Sequence, residues 1–298
     1  MTTRVLSMAL LSVVCATVLC AEFLPKPVRL RLKDGRNFDC TLLQRTEDSI
    51  WIERRIGTSI AREPHRVEHI DAIQFPLPTI LTSINVRALK SKDELRSAIH
   101  EVEAEYAAWQ QFEDIKGHHA VAVLKLYADL LEHRGSYAAA HRMFGRLLKD
   151  ARDEETRRHA AQRLAVCAFW SSTNGAALAA LTNALAASAS DAERAELLFY
   201  IGVSHAQRGE PVDALFALLK NSVFYSMHGT WEPRSLAAAL APFASLGRRD
   251  EFVTTCATLT QRFDGTVWAA LAHDRLAALH AGTNLSTLSS ITTYLEEP

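Results

Sequence analysis

Two hydrophobic periods divide this chain. Between Val28 and Phe75 apolar residues tend to alternate with polar ones; beyond residue 85 they recur every three or four positions. A period of two lays one face of a strand on a core, and a period near 3.6 does the same for a helix. Val28, Leu30 and Leu32 alternate with Arg29, Arg31 and Lys33. Asp34-Gly35 then supplies hairpin-turn chemistry, because glycine tolerates positive φ. Phe38, Cys40 and Leu42 resume the alternation, and a polar turn at Thr46 to Ser49 leads into Ile50-Trp51-Ile52. Gly57 marks another turn, a last strand is expected within Val67 to Phe75, and Pro76 and Pro78 end the sheet. Four or five short strands over residues 26–76 predict a small, strongly bent, barrel-like all-β domain. Its core is limited, so it is expected to pack against helices or a partner.

The helical period opens with a predicted connector or capping helix within residues 85–117. Leu89, Leu95, Ile99, Val102, Tyr106, Trp109 and Phe112 fall mostly at spacings of three, four or seven. Asp93 and Glu94 stand near its start, and Lys116-Gly117 near its end. The helix proper is read over residues 85–115.

From residue 118 to Gly282 the chain repeats itself. Gly135, Gly175, Gly209, Gly247 and Gly282 lie 40, 34, 38 and 35 residues apart. Each follows a helical segment by a few residues, and a second helical segment follows each of the first four. Neither helix of such a pair can bury its apolar face alone, so neighbours stack. The two longer intervals predict extended loops near residues 150–157 and 225–233. Residues 283–298 are expected to form a capping helix or a loose tail.

Two resemblances follow from these residues. Leu32-Lys33-Asp34-Gly35-Arg36, then Asp48-Ser49-Ile50-Trp51-Ile52, then Ile70-Asp71-Ala72-Ile73-Gln74-Phe75 resembles a small Sm-like barrel module. The fold is carried over and the RNA binding common in such barrels is not, since an exported protein would rarely meet RNA. Leu198-x-x-Ile201-Gly202-x-x-His205-x-x-x-Gly209, followed by Ala214 and Leu218, is similar to the tetratricopeptide pattern. Leu124, Tyr127, Ala128, Gly135, Ala140 and Phe144 match in the first unit, and Leu164, Ala168 and Ala180 in the second. Leu236 and Phe243 match in the fourth, where Phe252 replaces an expected small residue. The implied fold class is mainly α: a tetratricopeptide-like α–α superhelix preceded by the small β domain. Gly202 and Ala214 then belong where paired helices approach closely, and Gly209 in the turn between them.

Ligands of tetratricopeptide proteins lie along a concave face lined by first helices. The resemblance implies Lys125, Asp129 and Glu132 there from the first unit, and Gln162, Phe169 and Ser172 from the second. The third unit adds Glu196, Phe199, Val203 and Gln207, and the fourth Arg234 and Ser245. This face is mixed in charge and lacks the basic cluster that clamps a peptide C-terminal carboxylate.

Composition removes some function classes. The chain carries 33 Lys and Arg against 34 Asp and Glu, so it has no electrostatic footprint for nucleic acid. Arg4 followed by the uncharged run Val5 to Leu19 predicts an export signal over residues 1–21, cleaved near Cys20–Ala21 or Ala21–Glu22. The alternatives are an uncleaved anchor or lipidation at Cys20. Cys40, Cys167 and Cys256 would remain; they are read as buried free thiols, with a Cys167–Cys256 bridge as the alternative. Asn284-Leu285-Ser286 formally fits a glycosylation acceptor.

Chemical motifs are scarce. His65 and His69 are four apart but lie in a strand or loop, where that spacing does not converge on one metal. His118 and His119 are adjacent and point differently on a helix. Glu101, Glu103 and Glu105, like Asp153, Glu154 and Glu155, are read as solvated helix faces. There is no Gly-rich phosphate loop, nucleophile elbow or zinc motif. No catalytic residue, metal or cofactor is expected. The function expected is a non-enzymatic scaffold of the bacterial cell envelope, periplasmic or secreted, that holds a protein or peptide partner in the groove. The alternative is a module for cell-wall or surface polymer, read by exposed aromatics of the barrel such as Trp51.

Overall fold

The computed structural model describes residues 26–171, 176–227 and 229–291. The expected export segment, Cys20, Ser172, Gly175 and the last seven positions of the expected C-terminal cap lie outside the described residues. The protein is mainly α-helical, with a five-stranded antiparallel sheet ahead of a stack of helices. It divides into two compact units, the first comprising residues 26–83 with His100–Ala120 and the second Ile84–Ile99 with the helices from Val121 onward.

In the first unit the strands are β1 (Lys26–Leu32), β2 (Asn37–Arg45), β3 (Ser49–Ile56), β4 (Ser59–Arg66) and β5 (Ile70–Gln74). Their order is β4-β3-β2-β1-β5. Consecutive strands pair as a meander, and β5 returns to β1, with Leu30 opposite Ile73. The period of two puts Leu30, Leu42, Ile50, Ile52 and Ile73 on the buried face. β4 carries no buried residue, so it gave no hydrophobic period to read; its Pro64 is tolerated because β4 is an edge strand. Helix α1 (Ile80–Ser83) follows the sheet.

Helix α2 runs Lys92–Gln110, shorter than the expected 85–115 at both ends. Ser91 and Glu94 cap its start reciprocally: the Ser91 hydroxyl accepts from the Glu94 N–H at 3.1 Å, and the Glu94 carboxylate accepts from the Ser91 N–H at 3.2 Å. Upstream, the Asn85 side chain caps a 3-10 turn over Val86–Ala88 instead. Within the first unit, Trp109 and Phe112 pack on Phe75, with ring centroids 4.8 and 5.3 Å away. Ile73 N–H donates to the Lys116 carbonyl at 2.9 Å, and Gly117 follows at φ +95°. A Cβ on Gly117 would stand 2.2 Å from the Ile73 carbonyl oxygen, so only glycine fits against this strand.

The second unit stacks antiparallel helix pairs: α3 (Ala120–His133) with α4 (Tyr137–Asp150), and α5 (Glu154–Ser171) with α6 (Ala176–Ala187). Next come α7 (Asp191–Gln207) with α8 (Pro211–Phe224), and α9 (Trp231–Ser245) with α10 (Arg249–Arg262). Among the described residues no second helix follows α11 (Val267–His280), and a 3-10 turn over Leu285–Leu288 buries Leu288. Gly135, Gly209, Gly247 and Gly282 each sit just past a first helix with positive φ, the left-handed conformation that ends helices at lowest cost. The glycine period therefore locates the turns. The extended loop expected near residues 150–157 is absent: α5 begins at Glu154 and has 18 residues, so the longer interval lengthens a helix. The second expected loop is present between Phe224 and Trp231.

The core of this unit centres on α9, where every residue from Glu232 to Ala244 is buried. A helix covered on all sides needs small residues, and Ala237, Ala238, Ala239 and Ala241 provide them. Two of its buried polar residues have partners: Glu232 meets Arg262 at 3.0 Å, and Ser235 accepts from the Asn221 amide at 2.6 Å, which also donates to the Ala195 carbonyl. Cys40, Cys167 and Cys256 are buried free thiols, and the Cys167–Cys256 bridge is not formed.

Candidate functional site

First helices α3, α5, α7 and α9 each send side chains into one cleft of about 970 Å³ in the second unit. Lys125, Asp129 and Glu132 recur at spacings of four and three along α3, which puts them on one helix face. His159, Arg163 and Trp170, at spacings of four and seven, share a face of α5; Tyr200 comes from α7 and Arg234 from α9. Tyr137 at the start of α4 and the segment from Ile84 to Arg87 complete the walls.

The cleft has a charged stretch and an aromatic one. In the first, Lys125 Nζ lies 2.9 Å from one oxygen of Asp129, and His159 Nε2 lies 2.9 Å from the other. Burial opposes the Asp129 charge, but the His159 hydrogen bond and the Lys125 ammonium hold its carboxyl below the ordinary 3.8. Arg163 bridges three helices. It donates to both Glu196 oxygens at 2.8 Å and from Nε to the Glu132 oxygens at 2.9 and 3.1 Å, with a further close contact from Nη2 to Glu132. Burial would lower Arg163, but Glu196 and Glu132 more than offset it, so the guanidinium stays charged. Burial raises the Glu132 carboxyl above its ordinary 4.5; Arg163 opposes this, and neighbouring Glu196 and Asp129 reinforce it. Gln162 adds a hydrogen bond to Glu196 at 3.1 Å.

In the aromatic stretch Tyr137 stacks on Trp170 at 5.2 Å with an interplanar angle of 12°. Trp170 meets Tyr200 edge-on at 6.1 Å. Burial raises the Tyr200 hydroxyl well above its usual range, so it stays neutral. Beside these rings Arg234 lies 4.8 Å over Phe199 and 5.3 Å over Trp231, a buried cation held against π faces.

The structure brings Lys125, Asp129, Glu132 and Arg234 together as cleft residues. Glu196 stands behind them as the second partner of Arg163. Other expected groove residues lie elsewhere. Phe199 and Val203 are fully buried, Gln162 and Phe169 nearly so, and Gln207 and Ser245 are exposed away from the cleft. On α5 and α7 the difference is one residue: Gln162, Phe169 and Phe199 were expected, whereas Arg163, Trp170 and Tyr200 face the cleft. One residue is 100° of helix rotation. Sequence spacing alone gave no signal for the Glu132–Arg163–Glu196 bridge: Arg163 and Glu196 stand twelve and thirteen residues before Gly175 and Gly209, but Glu132 stands three before Gly135.

Among the described residues one grouping could hold a metal ion: His205, Glu210 and Asp213 at the α7–α8 turn, with ligand atoms within 4.8 Å of one another. His205 Nδ1 already bonds Glu210 at 2.7 Å, and Arg208 bonds the other Glu210 oxygen at 3.0 Å. That makes an internal ion-pair network at a helix junction. Among the described residues no helix is long and apolar enough to cross a membrane. No protein family model matches the chain, and no curated protein matches it.

Proposed function

We propose that the second unit is a non-enzymatic binding module that holds a polypeptide segment of a partner protein in the cleft between first helices. One observation carries this: four successive hairpins contribute their first helices to a single cleft. Tyr137, Trp170 and Tyr200 offer apolar area with polar tips, which suits backbone amides and side chains together. The paired charges of Lys125, Asp129, Glu132 and Arg163 hold the walls in place before a ligand arrives. The tetratricopeptide-like reading is supported by the pairing of helices about the positive-φ glycines, and the Sm-like barrel reading by the return of β5 to β1. The export pattern from Arg4 to Leu19 supports placing this module in the cell envelope.

A second reading has its own observation. Trp51 is exposed on β3 of the first unit, and an exposed indole is a common platform for sugar rings. It would make the sheet unit a reader of cell-wall or surface polymer.

Site-specific photocrosslinking separates the two. A photoreactive phenylalanine analogue at Tyr137 in the intact chain, irradiated in an envelope preparation, should give a discrete adduct that proteinase removes. An adduct at Trp51 that survives proteinase and yields sugars would establish the second reading instead. No adduct at Tyr137 above that of an exposed control position would overturn the polypeptide proposal.

A further inference from the structure

Helix α8 is apolar on both sides, although the described residues cover only one of them. Ala214, Ala217, Leu218 and Asn221 face the core. On the opposite side Val212, Phe216, Leu219 and Val223 form a second row at spacings of four, three and four. Val212, Phe216 and Val223 are 52, 68 and 69% exposed, and Leu219 is half-buried between them. Phe224 and Met227 extend the exposed apolar surface past the helix end. A helix apolar all round is normally buried all round, and a contiguous exposed apolar surface marks an interaction site.

The charges on α8 specify what covers it. Of its 14 residues only Asp213 and Lys220 are charged. They are seven positions apart, so both lie on the same flank of the exposed row. Among the described residues neither is in an ion pair. Set two copies of this row antiparallel about a two-fold axis near its centre. Phe216 then meets Leu219 of the second copy, Val212 meets Val223, and Asp213 comes opposite Lys220, each contact occurring twice. A parallel pair would instead put the charged flanks of the two copies on opposite sides of the seam, leaving Asp213 and Lys220 facing no charge of the second α8. The row is thus self-complementary in shape and charge in one orientation, as an isologous interface requires.

We propose that the protein self-associates through α8, two copies pairing antiparallel along Val212, Phe216, Leu219 and Val223 with reciprocal Asp213–Lys220 ion pairs. One helix per copy is a small interface, so the dimer forms reversibly and depends on concentration.

Sedimentation equilibrium of the whole chain over a wide concentration series tests this. The wild-type protein should pass from monomer to dimer as concentration rises. Phe216→Asp, at an exposed position, should keep the helical circular dichroism and remain monomeric throughout. Lys220→Asp places like charges opposite each other twice and should weaken the dimer roughly tenfold. Adding Asp213→Lys to that variant should restore the wild-type constant. A wild-type protein that stays monomeric at every concentration overturns the proposal. So does a dimer indifferent to Phe216→Asp, whose interface lies elsewhere, or one sensitive to Phe216→Asp but indifferent to both charge variants. A monomer that instead floats with lipid vesicles through Phe216 would assign the face to a membrane and equally overturn it.

Discussion

Gly202 and Leu218 touch where α7 crosses α8: a Cβ built on Gly202 would lie 2.5 Å from Leu218 Cγ and 3.1 Å from the Ala214 carbonyl oxygen. Ala214 is fully buried at the same crossing. There is no free volume for even one methyl group, because interiors are close-packed. Gly202→Ala gains up to about 1 kcal/mol of helix propensity, yet overpacking costs about 1–3 kcal/mol. Both Gly202→Ala and Ala214→Leu should therefore lower the melting temperature. Ala187→Leu, at an exposed position, should leave it nearly unchanged. Hydrogen exchange should show the loss spreading into α9, which packs on α7 and α8. Equal melting temperatures for all three variants would place the tight crossing elsewhere.

Arg163 ties α3, α5 and α7 together through Glu132 and Glu196. Removing it leaves two carboxylates facing each other on a cleft wall. Breaking a buried pair costs about 3–5 kcal/mol; these groups keep some solvent contact, so Arg163→Met should cost about 2 kcal/mol. Arg163→Lys should recover only part, since an ammonium cannot serve two forks at once. Glu132→Gln should cost little, because Glu196 still neutralises the guanidinium and burial already disfavours the Glu132 charge. Urea midpoints of the three variants give the order, and the reverse order would show that the bridge is screened by solvent.

Asp129 makes stability depend on acid. Its folded carboxyl titrates below its ordinary 3.8, so its contribution is complete above that value and is lost as pH falls through the folded value. Wild-type protein should exceed Asp129→Asn in stability at neutral pH, and the gap should narrow below about pH 4. Glu132 has the opposite sign: with its pKa raised, the ionised form is the less favourable, and protonation relieves it as pH falls toward 4.5. Denaturation midpoints of both proteins across pH 2–7 would check the sign; a gap that widens on acidification would be the wrong sign for Asp129.

Burial pushes the thiols up, Cys40 to about 11 and Cys167 and Cys256 to about 12. Few are thiolates at neutral pH, and none is open to reagent. A thiol-reactive dye should label these three positions only in denaturant, in step with unfolding. Fast labelling of Cys167 in native protein would mean that α5 opens locally.

Much of the fold was legible along the chain. Alternation found β1, β2, β3 and β5, and the glycine intervals found every hairpin turn that is described. β4 escaped because an edge strand with no buried residue has no hydrophobic period. The start of α2 was misplaced by several residues, because Asn85 and Ser91 both offer caps and only the second begins the long helix. At the cleft, the residues expected on α3 line the wall, whereas on α5 and α7 the lining residues are the next ones along the chain.

The number of helix pairs, the positions of the described turns and the close approach at Gly202 follow from the local sequence. Those depend on local requirements, such as positive φ at a helix end or the absence of a side chain at a crossing. Which face of α5, α7 and α9 meets the cleft depends instead on the packing of each helix against its neighbours. From Leu197 to Ser204 every residue of α7 is buried, and α9 is buried over nearly its whole length. Helices apolar on several sides carry no single stripe from which to read a rotation. Their neighbours set it, by packing and by pairing charges such as Arg163 with Glu132 and Glu196 that lie 31 and 33 residues away in sequence.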